Sequence, residues 1–440
     1  MATGKTQTEA TWAELLGNKQ WEGLLDPLDL NLRKLILRCG DFCQATYDAF
    51  NSDEHSKYCG SSRYGKHSFF HKVSLPNASN YEVAAFLYAT SRIDVPKSQS
   101  FFLHSLSREA WDRESNWIGY IAVTNDHVSR VNARREIYII WRGTIRNLEW
   151  IDVLEAPLAS ITQLLNSSSK QQETQLQQQQ QHHWYDALFN NINKDTDGNN
   201  SNDNDNDDDD NIPKVMKGWL TIYTSDDPKS PFTKTSARTQ LLTKIKQLVT
   251  RYKDEDISIT FVGHSLGASL SILSAFDIVE NGLSTIPVSA FVFGSPQVGN
   301  KAFNDRLKAF TNLRILHIKN IIDVIPQYPS KFLGYSYTGI ELLIDTRKST
   351  SLKDSKNPSD WHNLQAMLHV VAGWNGKDGD FELKVKRSVA LVNKSCDFLK
   401  DECLVPASWW VEKNKGMVLS EDGEWMLSPP DEEDIPVPEY

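Results

Sequence analysis

The residue pattern with the most chemistry in it is a serine held between two glycines, Gly263-His264-Ser265-Leu266-Gly267. The apolar run Ile257 to Val262 precedes it and a helical pattern follows from about Ala268 to Glu280. The serine therefore lies at a strand-to-helix junction, the setting of a nucleophile elbow. A sharp turn there lifts the hydroxyl out of the sheet edge on strained backbone angles. Gly263 and Gly267 remove side chains that would collide where strand and helix pack closely. The chemistry is nucleophilic acyl transfer, in which the hydroxyl needs a base and the base needs an orienting carboxylate.

Elbow serines take their partners in the chain order Ser, Asp, His. Asp323, in Asn320-Ile321-Ile322-Asp323-Val324-Ile325-Pro326, follows the strand pattern Arg314 to Ile318. That places it just past a strand end, where catalytic residues of open α/β sheets gather. Downstream of it the histidines are His362 and His369. His362 precedes an apolar helical pattern, at a solvent-reachable loop–helix border, and is preferred as general base. His369 lies inside that pattern and His317 lies on the preceding strand, so both are expected to pack in the core. Leu266 opens the helix, and its N–H is one expected oxyanion donor. A second comes from a loop after an early strand. Trp141-Arg142-Gly143-Thr144 offers one, with Gly143 permitting close approach and Thr144 supplying the donor, although the same residues also suit a plain strand-end turn.

The elements that must position these groups alternate. Residues 12 to 50 read as largely helical, with Leu28, Leu32, Leu35, Ile36, Cys39, Cys43 and Tyr47 at spacings of three and four. Residues 51 to 80 read as loop, and Tyr81 to Tyr88 as a short helix. Residues 117 to 125 have strand character, and Glu136 to Trp141 suits a fully buried strand. A helix is expected over Ser236 to Tyr252, then strands at Ile257 to Val262, Val288 to Phe293 and Arg314 to Ile318. This alternation predicts a mostly parallel α/β sheet flanked by helices, within a single domain over 1–440. Residues 164–212 interrupt it with a Gln-rich run and an Asn/Asp-rich run, polar sequence too poor in apolar groups to offset its ordering entropy. They read as a disordered insertion rather than a calcium loop.

Several motifs together resemble a known family. GHSLG, the WRGT turn, Phe293 to Asn300 (FGSPQVGN), NIIDVIP and WHNLQAMLH resemble the class 3 lipases, which have an α/β-hydrolase fold. Gly23 to Asp29 and the tail from Trp409-Trp410 to Met417 look more closely like the plant phospholipase A1 family, in its cytosolic class II group. The resemblance covers most of the chain, including a C-terminal extension over 400–440. It implies hydrolysis of the sn-1 ester of glycerophospholipids, or of other glycerolipids, at a membrane or micelle surface, without cofactor or metal. By the same resemblance the nucleophile is Ser265, the acid Asp323, the base His362, and the oxyanion donors Thr144 and Leu266. A lid is implied at Ile145 to Val153, where Leu148, Trp150 and Ile151 either meet lipid or pack in the core. The rival reading is a catalytically idle lipase-like signalling scaffold or ligand receptor.

Bulk properties exclude other classes. The net charge is −10, but Lys194 to Ile212 alone holds eight Asp and one Lys, so the acidity describes one segment. No basic stripe with interleaved aromatics supports nucleic-acid binding. The five cysteines lack CxxC spacing and read as free thiols, Cys39 and Cys43 sharing a buried helix face, without a zinc site. No apolar run reaches the roughly 18 residues of a transmembrane helix. The N-terminus lacks an apolar core or Arg-rich character, so the expected location is cytoplasmic, and the sequons at Asn77 and Asn393 then carry no meaning.

Overall fold

A computed structural model describes residues 9–90, 115–144, 157–165, 211–283, 285–411 and 415–428. Its architecture follows from strands buried on both faces. In β3, Arg135–Trp141, every residue is buried. Ile137, Ile139 and Trp141 belong to one core, while Tyr138 and Ile140 belong to a second on the opposite side. A strand with no wet face needs helices above and below it. The sequence supplies them as α1 (Leu30–Asp48) and α4 (Leu364–Gly373) on the second core, and α2 (Ala237–Arg251) and α3 (Leu266–Glu280) on the first.

The sheet has seven strands in the order β1 (Tyr81–Thr90), β2 (Ser115–Thr124), β3, β4 (Ile257–His264), β5 (Val288–Phe293), β6 (Leu313–Asn320) and β7 (Ile340–Ile344). The pairs β1–β2 and β2–β3 are antiparallel, and β3 through β7 run parallel. This is the mostly parallel helix-flanked sheet expected from the sequence, an α/β-hydrolase fold.

Two local expectations need correction. Tyr81 to Tyr88 is strand, because pairing with β2 and burial of Val83 and Leu87 override the helical bias of its alanines. Its alternation is obscured by irregularities at Val83/Ala85 and Leu87/Tyr88. Residues 12 to 50 are not continuously helical: a short helix at Trp12–Leu15 and α1 are separated by turns, with Gly17 and Gly23 at positive φ.

The insertion is narrower than its composition suggested. Leu164, Leu165 and Ile212 are buried core residues, and Leu158–Ser160 pairs antiparallel with Lys214–Met216. The Gln and Asp runs between them lie outside the described residues. The C-terminal extension packs back on the end of α1, where the Trp410 indole donates to the Asp48 carbonyl at 3.3 Å. Lys394, just before the extension, places Nζ 2.6 Å from Asp48 Oδ2. Cys39 and Cys43 are buried free thiols on α1, as their spacing implied. Among the described residues no helix is long and apolar enough to cross a membrane, and no cluster of His, Cys, Asp and Glu is suited to hold a metal ion.

Candidate active site

Ser265 occupies the turn between β4 and α3 with φ 58° and ψ −128°, in the positive-φ region that side chains avoid. The surrounding backbone imposes this angle. The Ser265 amide donates to the Phe293 carbonyl at 3.0 Å, which ties the turn to the end of β5. A β-carbon on Gly263 would fall 2.1 Å from the Gly267 carbonyl oxygen, and one on Gly267 would fall 2.3 Å from the Trp141 carbonyl oxygen. Both glycines are therefore required by backbone contact, and the Gly267 contact seats α3 against the end of β3. The first helical amides, Leu266 among them, have no acceptor within the helix.

Asp323 lies three residues beyond β6 and His362 at the end of the short helix Pro358–Trp361. The fold brings them together: His362 Nδ1 is 2.6 Å from Asp323 Oδ2. The other carboxylate oxygen accepts the Ile325 amide at 3.0 Å. Because the carboxylate accepts, the Nδ1 proton belongs to the imidazole, and in the neutral ring Nε2 carries the lone pair. His362 is 5% exposed. It is thus less accessible than its border position suggested, and it meets solvent through a cavity of about 670 Å³ that Ser265, His264, Tyr47 and Thr144 also line. Ser265 Oγ and His362 Nε2 are both buried and neither makes a hydrogen bond in this structure, so no bond joins the hydroxyl to the ring.

The other two histidines are engaged elsewhere. His317 Nε2 accepts the Ser295 amide at 2.9 Å, and burial depresses its pKa to about 3. His369 Nε2 shares a hydrogen bond with Ser349 Oγ at 2.8 Å, and burial lowers its pKa to about 4. Both are packed in the core, as their positions implied.

The WRGT turn is anchored by its arginine. The Arg142 guanidinium donates to the Trp117 and Gly143 carbonyls at 3.1 and 2.9 Å and lies over the Phe50 ring. Burial pulls its pKa down to about 10. This buried cation fixes the backbone leading to Thr144. Sequence reasoning overlooked Gly294, whose φ is +54°. A β-carbon there would fall 2.8 Å from His362 Cε1 and 3.1 Å from Asp323 Oδ2. The signal was present in Gly294-Ser295-Pro296 directly after a buried strand. The segment Ile145 to Val153, expected as a lid, lies outside the described residues.

The lipase (class 3) family pattern matches residues 138–333, from within β3 through the elbow to beyond Asp323. Phospholipase A1-IIdelta of Arabidopsis thaliana is 57% identical over 98% of this chain and 99% of its own length. The chain belongs to the phospholipase A1-II family. A second member, phospholipase A1-II 5 of rice (Oryza sativa subsp. japonica), is 50% identical over 97% of this chain and 84% of that protein. Among solved structures, the Lip2 lipase of Yarrowia lipolytica aligns with a TM-score of 0.40 and 19% identity, covering 73% of this chain and 81% of that one. As a phospholipase A1-II member the chain is a lipase-type hydrolase of acyl esters.

Proposed function

We propose that this protein cleaves the sn-1 acyl ester of glycerophospholipids at a membrane or micelle surface, with Ser265 as nucleophile, His362 as general base and Asp323 as the carboxylate that orients it. The observation that carries the reading is the buried 2.6 Å contact between His362 Nδ1 and Asp323 Oδ2, in a site that also holds the strained Ser265 turn. Asp323 fixes the imidazole with its lone pair on Nε2, the atom that has to accept the serine proton. Contacts between nucleophile and base often tighten only in the substrate complex, so the open contact between Ser265 Oγ and His362 Nε2 is compatible with this reading.

In the first step the Ser265 Oγ–H proton passes to His362 Nε2 as Oγ bonds to the ester carbonyl carbon. The carbonyl electron pair moves onto oxygen, where the Leu266 and Thr144 amides are proposed to receive it. Each such donor contributes roughly 3 kcal/mol in comparable sites. The ester C–O bond then breaks, the Nε2 proton goes to the departing lysolipid oxygen, and water releases the fatty acid by the same route.

Mixed-chain phosphatidylcholine, with different acyl groups at its two positions, tests the reading alongside galactolipids and neutral glycerides. Release of the sn-1 fatty acid and a 2-acyl lysolipid is expected. Release of the sn-2 chain, or hydrolysis confined to non-phospholipids, would overturn it.

A further inference from the structure

Helix α1 is tied to the site through two side chains that the reaction scheme does not use, its own Tyr47 and His264 at the end of β4. Tyr47, in its last turn, places its hydroxyl 2.8 Å from His264 Nδ1. His264, the residue immediately before Ser265, places Nε2 2.8 Å from the His362 main-chain oxygen. The His264 and His362 rings also pack against each other in a tilted arrangement, with centroids 4.5 Å apart and planes inclined by 33°. One imidazole therefore spans from the nucleophile's neighbour to the backbone of the base.

The chemistry of the partners fixes the direction of both bonds. A carbonyl only accepts, so His264 Nε2 carries the proton and Nδ1 carries the lone pair. Tyr47 must then donate to Nδ1. Burial is consistent with this: it pushes the Tyr47 phenol well above its ordinary range and His264 well below, so the phenol keeps its proton and the imidazole stays neutral. A neutral His264 also avoids repelling a positive charge on the His362 ring packed beside it. The turn before Thr144 closes on the same groups: a β-carbon on Gly143 would fall 2.1 Å from Tyr47 Oη and 2.6 Å from the His264 carbonyl oxygen.

We propose that Tyr47 and His264 are positioning residues, a buried tie that holds the His362 backbone in register with the Ser265 turn and sets the His264 tautomer that makes this possible. The proposal rests on the reading of Ser265 and His362 given above. Replacing Tyr47 by Phe removes the donor that selects the Nε2–H tautomer. The Nδ1–H form would direct a nitrogen lone pair at the His362 carbonyl and push the base away. A displacement of the base by about 1 Å costs on the order of 100-fold in rate.

The test compares Tyr47→Phe, His264→Leu and His264→Gln in the full chain. It measures ester kcat and KM, the rate of inactivation by a fluorophosphonate, and the urea unfolding midpoint. Tyr47→Phe is expected to lower kcat and the inactivation rate about 10- to 100-fold with KM near the parental value. His264→Leu is expected to lower them at least as far. His264→Gln keeps an N–H donor toward the His362 carbonyl and is expected to recover much of the loss. Parental kcat in both Tyr47→Phe and His264→Leu would overturn the proposal, as would a loss that merely follows the folded fraction. An unreactive parent protein would instead sink the reading of the site, and this proposal with it.

Discussion

The His362 imidazole and the Asp323 carboxylate meet at 2.6 Å, both buried, from segments that follow different strands of the sheet. The second carboxylate oxygen is held by the Ile325 amide, so Asp323 has little freedom to turn away. Asp323→Asn preserves this shape but offers an amide that can hydrogen-bond the wrong imidazole tautomer. It is expected to lower kcat by roughly 10³- to 10⁴-fold. Steady-state ester hydrolysis checks this, and a loss under tenfold would remove Asp323 from the proposed role.

The Ser265 backbone stores strain that glycine would not feel. Ser265→Gly is expected to abolish ester hydrolysis while stabilising the fold by about 1 kcal/mol, the strain relieved less the added freedom of the unfolded chain. Urea unfolding of the two proteins measures the difference. A clear destabilisation would mean the turn is not strained.

Gly294 lies under the His362–Asp323 pair at φ +54°. Gly294→Ala forces a methyl to within 2.8 Å of the imidazole and 3.1 Å of the carboxylate. Activity is expected to fall by about 100-fold or more, since small misplacements of reacting groups are costly. Destabilisation is expected to stay at about 1–3 kcal/mol, the range for overpacking. Full activity would show that the pair tolerates displacement.

Much of this site was legible because its residues sit at breaks in periodicity. Ser265 falls where an apolar strand pattern gives way to a helical one, and Asp323 follows a strand end. His362 precedes a helix, whereas His369 lies inside one. Tyr47 was hidden because it continues the three-and-four spacing of α1 and reads as one more core residue. His264 was hidden as the variable position of the elbow motif, since nothing local reveals a partner 98 residues away. Tyr81–Thr90 was misread for a related reason: strand pairing with β2 is a non-local interaction, and alanine-rich sequence does not announce it.

Three buried histidines make acid stability predictable. His264 is held well below its ordinary pKa, His317 at about 3 and His369 at about 4, all chiefly by burial. In the unfolded chain they bind protons near pH 6.5, so below that pH the unfolded state binds more protons and stability falls. The loss begins near pH 6.5 and runs to about 4 for His369 and about 3 for His317. Each group contributes at most about 1.4 kcal/mol per pH unit. Urea midpoints between pH 7 and pH 4 are expected to drop, and to drop less steeply in His369→Gln. Parallel slopes for the two proteins would exclude His369 as a contributor.

The most direct measurement compares wild type with Ser265→Ala, matched by circular dichroism, for fluorophosphonate labelling and for turnover of mixed-chain phosphatidylcholine. Wild type is expected to carry a single adduct on Ser265 and to release the sn-1 fatty acid, while the folded variant does neither. Undiminished turnover in Ser265→Ala, or an adduct on another residue, would contradict the assignment of the nucleophile.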